Sequence, residues 1–255
     1  MNELEARLRS AGFNISDLKP LSWPIDDTVY SVEFEHVKPM ESWFALRNLF
    51  DITHHWPLLT DSQETLDEFE AQIEDALPSR YTDEQRREWA WVNELPEDWR
   101  VWVARGEEIS FESWLAEQQE NEPIEEELEG NWKQHNNLVV DPIVERFKSP
   151  LMLLFPVHKS WHVPGLLRYG NWNGCPAPDV QVAAMNYWHE RFGAELVSLT
   201  RDTAEFRCER PPTTREGAIE LAVQHFYYCS DTARDSVLYS ASRLKDSKYW
   251  SFWWD

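Results

Sequence analysis

Four side chains between Ser149 and Phe192 are the chain's candidates for chemistry: His162, Cys175, His189 and Glu190. A cysteine attacks as thiolate, so Cys175 would need a base beside it, and His162 or His189 could serve. Glu190 adds a carboxylate next to His189. A second reading needs no reaction. Cys175, inside Gly174-Cys175-Pro176, has the character of a small buried hydrophobe, as has Cys229 at the end of a later helix. His189 and Arg191 fall in the last turn of a predicted helix, where cations suit the helix dipole. Both readings stay open.

His158 and His162 are four apart, a metal-binding spacing on a helix. Pro156 and Pro164 flank them and argue against a helix, and spacing places no third ligand. No metal and no cofactor is assigned. The chain has no P-loop, no GxGxxG, no HExxH and no GxSxG.

Binding is the other class of site. Asn171-Trp172-Asn173-Gly174 reads as a tight turn whose Asn and Gly accept unusual backbone angles, or as a binding loop presenting Trp172 and Asn173. Fifteen tryptophans exceed what a core of this size needs, which points to a recognition surface; Trp114 is one candidate. Residues 107–129 hold ten Glu and no Lys or Arg. They read either as a solvated, self-repelling segment or as an acidic face for a basic protein partner, with Glu120, Glu122, Glu125, Glu126 and Glu127 as its binding residues.

The net charge is −22. Such a balance disfavours nucleic acid and anionic membrane surfaces, which need clustered Lys and Arg. Residues 149–255 hold 12 acidic and 11 basic side chains, net −1, so residues 1–148 carry −21. Three cysteines without a CxxC pair suggest a reducing compartment. The start, MNELEARLRSAGF, lacks an apolar core of signal-peptide type, and no apolar run approaches the roughly 20 residues of a membrane span. The expectation is a cytoplasmic protein of open oligomeric state.

Around these residues the pattern predicts elements. Short helices are expected at 2–10, 40–50 and, after Asp61 or Ser62 as cap, along Leu66, Phe69, Ile73 and Leu77. Thr82 and Gln85 have capping-box form, and Ser110 is a possible cap. Alternation at 28–37 and the apolar Trp56–Leu59 predict strands. Further on, Leu151–Val157, Glu195–Leu199, Thr203–Cys208 and Lys248–Asp255 read as strands, with a turn at Arg201-Asp202. Pro178 to Phe192 reads as a helix closed by Gly193, and Thr213 with Glu216 as a second capping box. The fold class is α+β. A C-terminal antiparallel sheet with helices on one face, in ferredoxin-like β-α-β-β-α-β order, follows a helix-rich acidic N-terminal region. The charge step divides the chain into 1–120, an acidic linker 121–149, and a C-terminal domain 150–255.

Gly170-Asn171-Trp172-Asn173-Gly174-Cys175-Pro176-Ala177-Pro178, Trp188 through Gly193-Ala194-Glu195, Pro211-Pro212 and Trp250-Ser251-Phe252-Trp253-Trp254-Asp255 occur in that order. Across these motifs the C-terminal part resembles the bacterial domain of unknown function 4253. Asn171 stands where that family often has a second glycine. The resemblance implies no activity and carries over no catalytic residue. The function expected is a stoichiometric binding protein, of immunity-protein or antitoxin kind, against a basic protein partner. The alternative is an enzyme with its site at the 162–175 loop and the end of the 178–192 helix.

Overall fold

One interior strand of the sheet is made by the chain's least polar run. Leu151–Phe155 (LMLLF) has no charge to keep in water, and its last four residues are fully buried. A strand buried on both faces needs neighbours on both edges, and both come from the first half of the chain. The computed structural model describes residues 3–11, 18–33, 38–124, 132, 142–233 and 236–255. Within them lie strands β1 (Leu18–Pro20), β2 (Tyr30–Glu33), β3 (Trp56–Thr60), β4 (Leu151–Phe155), β5 (Ala194–Leu199), β6 (Thr203–Cys208) and β7 (Tyr249–Trp253). They form one sheet in the order β1-β2-β4-β3-β5-β6-β7. β4 pairs antiparallel with β2 and with β3, while β3 runs parallel to β5.

The architecture is therefore α+β with a mixed open sheet, and the ferredoxin-like arrangement is corrected. β3 is inserted between β4 and β5, which that arrangement would require to be built from the C-terminal part alone. The expected order along the chain is present, but the spatial neighbours are not.

The helices are α1 (Glu3–Ser10), α2 (Pro39–Arg47), α3 (Phe50–Thr53), α4 (Gln63–Asp75), α5 (Asp83–Glu88), α6 (Arg100–Glu108), α7 (Phe111–Asn121), α8 (Val163–Leu167), α9 (Pro178–Phe192), α10 (Arg215–Tyr228) and α11 (Val237–Leu244). The first half is helix-rich, as expected. Ser62 caps α4, Ser110 caps α7, and Thr82 with Gln85 closes a reciprocal capping box on α5. α5 stops at Glu88, so Trp89 and Val92 lie beyond it, Val92 in a 3-10 turn over Ala90–Glu94. The cap of α10 is Thr214, one residue past the expected Thr213; its hydroxyl accepts from the Gly217 N–H.

α9 and α10 share one face of β5–β7. Trp188 of α9 stacks on Phe252 at 5.4 Å and its indole donates to Gln224 of α10 at 2.9 Å. Trp250, Phe252 and Trp254 are buried while Trp253 is 38% exposed, the period-two alternation of a strand. The opposite face is covered from the first half. Arg47 of α2 reaches Glu195 on β5, and Phe44 lies under the Arg207 guanidinium. α6 approaches α9 closely at Gly106, where a Cβ would stand 2.5 Å from the Asp179 carbonyl oxygen.

Candidate functional site

The turn at 168–176 is built on left-handed backbone. Arg168, Gly170, Asn171, Asn173 and Gly174 all have positive φ. At Gly170, with φ +115°, an added Cβ would meet the Pro176 carbonyl oxygen at 1.9 Å, so only glycine fits. The Asn171 N–H donates to the Cys175 carbonyl at 3.0 Å, and the Cys175 N–H to that of Trp172 at 2.7 Å. This closed turn holds Trp172 half-buried, edge-on to Tyr169 and Trp254, and leaves Asn171 and Asn173 exposed.

Facing it is the β5–β6 hairpin. Asp202 accepts from the Thr203 hydroxyl at 3.0 Å and from the Trp253 indole at 3.2 Å, tying the hairpin to β7. α4 forms the third wall, because its polar side turns Glu68 and Gln72 the same way; Gln72 donates to the Arg168 carbonyl at 2.6 Å. Tyr81, Trp91 and Trp102 complete the ring. Between them lies a cleft of about 960 Å³.

The charges around the cleft largely answer one another. Arg201 reaches Glu68 at 3.5 Å, and Asp75 pairs with Arg80. Burial raises the Glu68 carboxyl above its ordinary range, with Arg201 opposing. Arg168 is buried, and its two terminal nitrogens donate to the Ile73 and Glu97 carbonyls. Its Nε, the Trp102 Nε1 and the Trp254 Nε1 are buried donors without a partner among the described residues.

The four residues considered for catalysis are not brought into one set. Cys175 is buried, its sulfur accepts from Gln181 Nε2 at 3.1 Å, and burial followed by the nearby Cys229 pushes its thiol up, away from thiolate. His162 Nε2 lies 3.1 Å from a Glu107 oxygen, and burial lowers its pKa. His189 Nδ1 is 3.1 Å from the Ala194 carbonyl, and its ring lies against Trp161. Glu190 is exposed, and its backbone carbonyl accepts from Arg210. Among the described residues no hydrogen bond links Cys175 to a histidine, and no group of three His, Cys, Asp or Glu is placed to hold a metal.

The binding candidates separate into two places. Trp172 and Asn173 line the cleft. Trp114, Glu120 and Glu122 belong to α7 and its end, where Phe111 and Leu115 are buried and Trp114 stacks on Phe111 at 5.4 Å. Glu125, Glu126 and Glu127 lie outside the described residues. Sequence reasoning missed Glu68, Trp91, Trp102, Arg168, Arg201 and Asp202 as cleft residues. Only the Arg201-Asp202 turn left a signal that could have marked them.

Residues 151–255 match the family described as Domain of unknown function (DUF4253). They supply the 168–176 turn, the hairpin and the 253–255 side of the cleft, whereas α4, Tyr81, Trp91 and Trp102 come from outside the matched span. No curated protein and no solved structure matches the chain.

Proposed function

The C-terminal part of this chain, residues 151–255, is a DUF4253 domain, and for the chain we propose a binding function. The protein is a stoichiometric binder of immunity-protein or antitoxin kind, and it presents an acidic surface to a basic protein partner. One observation carries this reading. α7 buries Phe111 and Leu115 and leaves Glu117 and Glu120, with Glu122 at its C-cap, exposed, none of them in an ion pair with a described residue. Unneutralised like charge repels itself, and an opposite surface relieves that repulsion while speeding encounter. The stacked Trp89 and Trp91, 38% and 52% exposed, add the kind of rigid aromatic area that anchors protein contacts. Three buried, unpaired cysteines support a reducing, cytoplasmic setting, and no described helix is long and apolar enough to cross a membrane.

The test is to co-express the chain with the product of its neighbouring gene and ask for a 1:1 complex. Stopped-flow association is then compared with a variant carrying Gln at Glu120, Glu122, Glu125, Glu126 and Glu127. Steering is screened within about 8 Å at physiological ionic strength, so the variant should associate more slowly and with a flatter salt dependence. Equal on-rates and equal salt slopes would make the segment a solvated linker.

A further inference from the structure

The face of β6 and β7 turned away from α9 and α10 carries a carboxyl group that water does not reach. Glu205 of β6 stands opposite Ser251 of β7 and is 1% exposed. A short run just before β4 lies on it. The Ile143 N–H donates to its Oε1 at 2.6 Å and the Val144 N–H to its Oε2 at 3.3 Å. Val144 is fully buried, and Phe147 packs half-buried against the core.

Residues 142–147 are lightly tied to the rest. They form one 3-10 turn, Ile143–Arg146, in which the Glu145 N–H donates to the Pro142 carbonyl and the Phe147 N–H to that of Val144. The run belongs to no strand of the sheet. Among the described residues its hydrogen bonds to other elements are three: the two on Glu205, and Glu145 Oε1 accepting from the Met40 N–H of α2 at 3.3 Å. Segments with so few anchors open more readily than the sheet beneath them.

The charges around Glu205 do not offset its burial. Arg207, two residues on, is turned to Glu195 at 3.7 Å, and Arg47 of α2 to the same carboxylate. On the run itself Arg146 attracts Glu205 and Glu145 repels it. Tyr249 of β7, raised above its ordinary range by burial, is neutral. Burial, opposed by the two N–H bonds and by Arg146, pushes the Glu205 carboxyl up to about 7. An ionised carboxylate in that place gains by meeting water, and water meets it when 142–147 lifts.

We infer that residues 142–147 are a strap that lifts from β6 on its own when Glu205 ionises and lies down when Glu205 holds a proton. With the strap open the carboxyl returns toward its ordinary 4.5, so the closed form binds the extra proton between that value and about 7. Opening should therefore grow by up to about tenfold per pH unit across this window and level off above it. The inference makes no use of α7 or of a protein partner, so the two readings fail separately.

Amide hydrogen exchange of the full chain, followed residue by residue from pH 5 to 7, is the test. Corrected for the intrinsic rate of an unprotected amide, opening at the Ile143 and Val144 N–H groups should rise about thirtyfold over that range. At each pH both should open at least about tenfold more readily than the Leu153 and Phe206 amides in β4 and β6, which exchange when the sheet breaks. Glu205→Gln should abolish the pH dependence at both positions. Glu145→Gln, at an exposed residue, should leave it in place. A rise of less than about threefold in the native protein overturns the inference. Opening equal to that of Leu153 and Phe206 overturns it too, because the run would then leave only with the whole fold. So does a pH dependence that survives Glu205→Gln or is lost in Glu145→Gln. Should Glu205→Gln fail to fold, the native protein and Glu145→Gln decide.

Discussion

Arg47 and Glu195, 148 positions apart, are joined through two hydrogen bonds: Nε and Nη2 of the guanidinium donate to one carboxylate oxygen at 2.9 and 2.6 Å. Glu195 is 7% exposed, and Arg207 is its other cation at 3.7 Å. The same guanidinium lies over the Trp56 ring at 4.9 Å, and the Trp56 indole donates to the Leu196 carbonyl. A buried carboxylate on β5 is thus held in an ion pair by a residue of α2. Arg47→Ala leaves Glu195 with the more distant Arg207 alone. It should cost about 2–3 kcal/mol in urea denaturation. A loss below about 0.5 kcal/mol, the scale of an exposed pair, would show that the contact is only superficial.

The same sharing governs how the chain can be cut. In a fragment from Lys148 onward, β4 has no neighbour on either edge, because β2 and β3 both lie in the first half. The face of β5 and β6 carrying Glu195 and Arg207 loses α2. Unpaired buried strand groups and exposed apolar surface should keep this fragment from giving a dispersed amide spectrum. Recovery of dispersion on adding residues 1–124 is expected. A well-dispersed spectrum from the fragment alone would show that it completes its own core.

The pattern that produced these elements was local, and so was what could be read. Ser62, Thr82 and Ser110 announce helix starts because capping uses residues three apart, and Trp250, Phe252 and Trp254 against Trp253 announce a strand because alternation does. The insertion of β3 between β4 and β5 left no such mark, since pairing of residues 91 to 99 positions apart depends on surface complementarity, not on neighbouring residues. α6 was missed because Gly106, a poor helix former, stands on its buried face to admit α9. Of the cleft, Trp172 and Asn173 were legible through their turn chemistry. Glu68 and Gln72 looked like any solvated face of an amphipathic helix, and nothing in their spacing distinguishes a face turned to water from one turned to a cleft.

Gly170→Ala tests whether that turn is as constrained as its backbone. A Cβ there would overlap the Pro176 carbonyl, and φ of +115° is closed to alanine. The turn must open, displacing Trp172 from Tyr169 and Trp254. A loss of about 2–4 kcal/mol is expected in chemical denaturation. Gly174→Ala, with nothing within 4 Å of its Cβ, should cost only about 1 kcal/mol from its own positive φ. Equal losses at the two positions would contradict the close approach at Gly170.

Glu205 makes stability depend on pH in an uncommon direction. It is 1% exposed on β6, and its oxygens accept the Ile143 and Val144 N–H groups at 2.6 and 3.3 Å. Burial outweighs those bonds and the nearby Arg146, pushing the carboxyl up to about 7 from an ordinary 4.5. The folded state therefore holds a proton that the unfolded chain releases. This contribution is fully present below pH 4.5, declines as pH rises, and is gone above about 7, on the order of 3 kcal/mol in all. His225 acts oppositely. Buried among Trp188, Trp250 and Phe252, it is pushed down to about 3, so its burial favours the fold above the usual histidine range and weakens it as pH falls. The two slopes offset each other between about pH 4.5 and 6.5, which hides both in the native protein. Glu205→Gln keeps an acceptor for Ile143 and cannot ionise. Its stability relative to the native protein should rise steadily from pH 5 to pH 7.5, by urea denaturation at each pH. A difference that stays constant over that range would mean that Glu205 titrates as an ordinary carboxylate and that burial does not govern it.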